Sequence, residues 1–98
     1  LNSFSAVRSA DTVSIYWTTA SEIHTLGFNI YYADSFDGEY IRANESIIAA
    51  EGSAVTGADY EYAHELTEHS KSETLYYILE EIDSAGNASW HGPVKALY

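Results

Sequence analysis

Four histidines, 15 Asp and Glu residues and a scatter of serines are the side chains from which this 98-residue chain must build any chemistry it performs. There is no cysteine, so disulfides, cysteine–zinc sites, iron–sulfur clusters and thiol nucleophiles are excluded. His24, His64, His69 and His91 fall in four separate segments. Only His64 and His69 are close in sequence, and their spacing does not match the i, i+4 helical pair that ligates zinc in metalloproteases. They read instead as solvent-facing or rim histidines, with His64 at a strand end. No Gly-x-Ser-x-Gly elbow occurs, and the segment order assembles no Ser–His–acid set. Glu80 and Glu81 are adjacent, so on a strand they point to opposite faces and cannot flank one bond as a glycosidase pair must. No catalytic residue emerges, and the chain reads as a non-enzyme.

One cation candidate remains. Asp34, Asp37 and Glu39 surround Gly38, and Ca²⁺ seeks about six to eight oxygens, often at loop positions where backbone carbonyls join in. The spacing is not that of an EF-hand loop, and the turn-forming habit of Asp explains the same residues without a metal. Asp59 and Glu61 would join only if the fold brought them close. The expectation is no cofactor, with Ca²⁺ stabilisation as an alternative.

The composition narrows the partners. Four Lys and Arg residues give a formal charge of −11, which opposes nucleic acid and anionic membrane surfaces. No apolar run approaches the roughly 20 residues of a spanning helix, so membrane insertion is not expected. An apolar share of 46%, with 9 Tyr, 2 Trp and 3 Phe, is too high for a disordered acidic tail and implies one packed core. The chain opens on Leu1-Asn2-Ser3-Phe4, already strand-like and without a signal segment. That start suggests a piece of a longer, multidomain protein, with residues 1–98 forming a single domain.

The elements that must position these residues are strands. In Thr12–Thr18, Val13, Ile15 and Trp17 share one face; Phe28, Ile30 and Tyr32 alternate with Asn29 and Tyr31 after Gly27. Asp34–Gly38 supplies turn chemistry, followed by a short strand over Glu39–Ala43. Residues 44–59 read as a crossing loop with one short edge strand, and a strand resumes at Tyr60 and Tyr62. After a polar loop over Thr67–Glu73, Thr74–Ile82 reads as the longest strand. A turn at Asp83–Asn87 precedes a last strand over Ser89–Tyr98. Gly92-Pro93 interrupts that strand, and the missing N–H suits an edge or a bulge. About seven short strands at this spacing favour an all-β, antiparallel two-sheet sandwich.

Trp17, then Phe28-Asn29-Ile30-Tyr31-Tyr32, then Thr74 to Asp83, and the closing Gly92-Pro93-Val94-Lys95-Ala96 together resemble the fibronectin type III domain over essentially the whole chain. Trp17-Thr18-Thr19-Ala20-Ser21-Glu22, Leu26 to Tyr31 and Ile47 to Ser53 are similar to the fibronectin III-like modules near the C-termini of large bacterial secreted and surface proteins. The resemblance implies a seven-stranded, immunoglobulin-like sandwich, located outside the cell or on its surface. It implies a non-catalytic spacer with neighbouring domains of the same polypeptide as partners, monomeric when isolated. The position of the usual tyrosine-corner residue is Leu75 or, with the alignment slipped by one, Tyr76. No Arg-Gly-Asp occurs between the last two strands, so integrin binding does not carry over.

If the strand over 28–32, the strand over 74–82 and the last strand are neighbours, their outer face displays Asn29, Tyr31, Tyr76, Ile78, Glu80, Lys95 and Leu97. Tyr31, Tyr76, Ile78 and Leu97 form an apolar patch suited to a neighbouring domain, a surface protein or a glycan. The same residues also stabilise a sheet unaided, by about 0.2–1 kcal/mol per cross-strand pair. Trp90 is a further loose aromatic, either capping the core or exposed beside a neighbour. Glu81 continues the inward phase, so it must sit at the rim or meet a partner such as Arg8, Arg42 or Lys95. Asn44-Glu45-Ser46 and Asn87-Ala88-Ser89 match the glycosylation sequon by chance.

Overall fold

A computed structural model describes residues 1–53, 55–68 and 71–98; His69, one of the four histidines considered above, lies outside the described residues. Among the described residues all regular structure is β. The strands are β1 (Ser3–Ser9), β2 (Thr12–Thr18), β3 (Thr25–Ala33), β4 (Ile41–Arg42), β5 (Ile48–Ala49), β6 (Asp59–Glu65), β7 (Tyr76–Asp83) and β8 (Ala88–Lys95). They form two antiparallel sheets: β1-β2-β6, and β4-β3-β7-β8 with β5 also paired to β3. The two sheets face each other as a compact sandwich of 39 × 22 × 21 Å. The two-residue strands β4 and β5 share one edge of β3, pairing with Tyr31–Tyr32 and Gly27–Phe28 respectively. Gly27 is required there, because a Cβ would stand 2.6 Å from the Ile48 carbonyl oxygen.

The alternation seen in the sequence is what closes the core. Val13, Ile15 and Trp17 of β2 are fully buried, as are Phe28 and Ile30 of β3 and Tyr77 and Leu79 of β7. Trp17 stands opposite Tyr60 in the β2–β6 register, and their rings stack at 5.1 Å with Phe28 tilted against both. Burying such rings stabilises the fold by about 1.5–3 kcal/mol each.

Several expectations change in detail. The longest strand is β3 with 9 residues rather than the strand after the polar loop, which begins at Tyr76. Leu75 lies just before that strand, buried in the core, and Tyr76 points outward with its ring edge-on to Phe36 at 5.9 Å. Gly92-Pro93 falls on edge strand β8, at a register shift opposite Tyr77–Leu79. Gly92 has a φ of +100°, and a Cβ there would meet the Tyr77 carbonyl oxygen at 2.9 Å.

Beyond β8 the chain crosses to the other sheet. Leu97 forms a parallel bridge with Val7, its N–H donating to Ala6 O at 3.0 Å and its carbonyl accepting from Arg8 N at 2.6 Å. β1 starts at Ser3 beside Thr18 and runs in the same direction as residues 96–97. The chain therefore enters at one pole of the sandwich and reaches Leu97 toward the other.

Candidate functional site

The outer face of the larger sheet gathers a row of half-buried and exposed aromatic residues. The register places Arg42, Tyr31 and Ile78 side by side across β4, β3 and β7, and Asn29, Glu80 and Trp90 side by side across β3, β7 and β8. A third row carries Ala33, Tyr76 and Lys95. Trp90 is 54% exposed, and its indole lies 5.4 Å from the Tyr31 ring at 58°. Phe36, also exposed, extends the row beyond Tyr76. The face is thus two ring pairs, Phe36 with Tyr76 and Tyr31 with Trp90, with the aliphatic Ile78 between them.

Polar groups are fixed within this face. Glu80 Oε1 accepts from the Tyr31 hydroxyl at 3.2 Å and from Asn29 Nδ2 at 3.0 Å. Burial and the adjacent Glu80 carboxylate push the Tyr31 hydroxyl above its ordinary pKa of 10.0, with Arg42 opposing. Asn29, expected on the solvent face, is buried because the β4–β5 loop covers it. Asn44 donates to Asn29 Oδ1 at 2.9 Å and accepts from Ile30 N at 2.7 Å. Asn44 is buried by these contacts, so the first sequon is closed to modification in the fold. Of the four cations, Arg8 is buried and Lys71 pairs with Asp11 at 2.8 Å. Among the described residues Arg42 and Lys95 take part in no ion pair, and both stand in register with tyrosines of this face.

No family model, curated protein or solved structure matches the chain.

Tyr31, Tyr76 and Ile78 come together as expected, joined by Trp90 and Phe36. Leu97 does not join their ladder: its backbone is bonded to β1 of the other sheet, and it lines a cleft with Glu73, Thr74, Lys95 and Tyr98. The cation candidates divide as well. Asp34 and Glu39 line a cleft of about 390 Å³ together with Tyr32, Ile41 and Lys71; Asp37 does not share that lining. Among the described residues, no three His, Asp or Glu side chains converge as a metal site would require.

Glu81 finds partners other than the cations considered for it. Its carboxylate accepts from Thr25 Oγ1 at 3.0 Å and meets His91 Nε2 at 3.3 Å, because the inward phase of β8 brings His91, not Lys95, alongside. His64 is not a rim residue. It is buried, with Nδ1 2.8 Å from the Tyr77 hydroxyl and its ring 4.6 Å from that of Tyr32. Burial pushes its pKa below 6.5, with Glu65 partly opposing.

Sequence reasoning missed a buried clasp at the pole where β1 begins. Glu22, buried, accepts from Thr19 Oγ1 at 2.5 Å, from the Tyr60 hydroxyl at 2.7 and 2.9 Å, and from Gly52 N at 2.9 Å. The Tyr60 oxygen in turn accepts from Glu51 N at 2.7 Å. Burial pushes the Glu22 carboxyl up, but the bonds from Thr19, Tyr60 and the backbone outweigh it and leave it below 4.5. Desolvation, with Glu22 adding to it, raises Tyr60 to about 12. The only signal was the spacing Thr19-x-x-Glu22, which outside a helix carries no capping meaning.

Proposed function

We propose that the chain is a non-catalytic structural module of the fibronectin type III kind, a spacer in a modular bacterial secreted or cell-surface protein, with neighbouring domains of the same polypeptide as its partners. The observation that carries this reading is the direction of the ends: β1 and residues 96–97 run side by side the same way, so a module joined in series extends rather than folds back. The adjacency of β3, β7 and β8 supports the fibronectin III assignment. Small-angle X-ray scattering on one copy and on two copies joined end to end tests it. The tandem is expected to lengthen by about the 39 Å of one module; a tandem no longer than a single copy overturns the reading.

A second reading is favoured by the outer sheet face, where Trp90 and Phe36 extend the tyrosine row and the two cations without ion pairs, among the described residues, also stand. On this reading the face grips a surface protein or a glycan. Ca²⁺ at Asp34, Asp37 and Glu39 is the third, and no observation favours it, since Asp37 stays outside the cleft that Asp34 and Glu39 line. Neither of the first two readings needs a metal, and a melting curve with and without chelator separates them from the third.

A further inference from the structure

This inference rests on the second reading, that the Tyr31 face binds, and it names the ligand. We propose that the face takes a neutral polysaccharide, a chain of pyranose rings bearing neither carboxylate nor amine. A pyranose presents apolar C–H groups on its faces and hydroxyls around its rim, so its complement is an aromatic surface edged by polar groups. Trp90 and Tyr31 supply that surface. The two rings meet at 58°; Trp90 is 54% exposed and Tyr31 is half-buried beside it. Glu80 stands beside Trp90 in register and Arg42 beside Tyr31, which places an acceptor and a donor at the edges of the pair. The hydrogen bonds from Tyr31 and Asn29 hold Glu80 in place before any ligand arrives, so little ordering is left to be done on binding.

Charge selects among ligands. A polyanion approaches a chain of formal charge −11 and is repelled before contact. A polycation is drawn by that same charge but meets Arg42 and Lys95 at the face itself, the two cations standing without ion pairs among the described residues. A neutral polymer meets neither obstacle, and the open face of a sheet suits a ribbon of sugars lying along Trp90, Tyr31 and Ile78 better than a small enclosed ligand.

The two tryptophans make the test direct. Trp17 is fully buried, so a ligand-induced change in fluorescence reports Trp90. The probes are hydroxyethylcellulose, laminarin, xylan and galactomannan, with polygalacturonate and polylysine as charged controls, in native affinity electrophoresis and fluorescence titration. The expected result is retardation by at least one neutral polysaccharide with a blue shift of emission. Trp90→Ala should weaken it about tenfold or more while the melting temperature changes little, and Tyr31→Ala should weaken it as much. Tyr31→Phe, which keeps the ring, should retain binding. Absence of retardation by every neutral probe, or retardation unchanged in Trp90→Ala, overturns the proposal. Retention by a charged control alone, lost in Trp90→Ala, overturns the neutral ligand and leaves the binding face standing.

Discussion

Replacing Glu22 with Gln probes the clasp that ties Glu51 and Gly52 to the loop after β2. The carboxylate receives Thr19 Oγ1, the Tyr60 hydroxyl and Gly52 N–H, all within 2.9 Å, and Glu22 itself is buried. Hydrogen bonds to a charged acceptor contribute about 1.5–3 kcal/mol each and neutral ones about 1 kcal/mol. Gln keeps the shape but removes the charge from three bonds and turns one oxygen into a donor facing hydroxyls. Part of that loss is offset because no charge need be desolvated, and a net cost of about 2 kcal/mol is expected. A domain of this size has about 5–15 kcal/mol in total, so the melting temperature should fall by about 8–16 °C. The folded carboxyl lies below its ordinary 4.5, so on acidification the unfolded chain takes up the proton first. The contribution is complete above about pH 4.5 and is lost as pH falls through the folded value. Urea unfolding at pH 7, with thermal melts taken down to pH 3, reads both effects. A Gln variant within about 0.5 kcal/mol of the parent at pH 7, or a gap that widens on acidification, refutes the reasoning.

Neutral His64 acts in a higher window. Its folded pKa lies below 6.5, so its contribution is complete above about pH 6.5 and declines as pH falls; melts between pH 7 and 5.5 should lose that part of their slope in His64→Phe. A Cβ at Gly57 would stand 1.7 Å from the Thr19 carbonyl oxygen, so Gly57→Ala should cost about 3 kcal/mol or more in urea unfolding. Gly86→Ala meets no atom within 4 Å, only a φ of +88°, and should cost about 1 kcal/mol. Salt should raise the melting temperature by screening the −11 charge, and scans at low and moderate NaCl check this.

The sandwich was legible because its core obeys period two without exception in β2. Val13, Ile15 and Trp17 are buried with Tyr16 exposed between them. That period tells which face a residue takes within a strand, not what a distant loop lays over the face. Asn29 has the outward phase yet is buried under Asn44, a contact between residues whose approach depends on the path of an irregular loop. His64 has the inward phase of its strand; its polarity suggested the rim, whereas the Tyr77 hydroxyl satisfies it inside. The aromatic face was half visible. Tyr31, Tyr76 and Ile78 follow from alternation alone, while Trp90 required the register across the shift near Gly92-Pro93, and Phe36 required the course of a turn. The Glu22 clasp joins Glu22 to Gly52 and Tyr60, 30 and 38 residues further along the chain, and no local pattern announces it.

The parallel bridge between Leu97 and Val7 also has a mechanical meaning. Traction applied to the two ends pulls β1 and residues 96–97 in opposite directions along their common axis. The bonds from Leu97 N to Ala6 O and from Arg8 N to Leu97 O are then loaded together in shear, instead of being peeled apart in turn as in a hairpin. Resistance to pulling is thereby concentrated at the seam where the last residues cross from one sheet to the other.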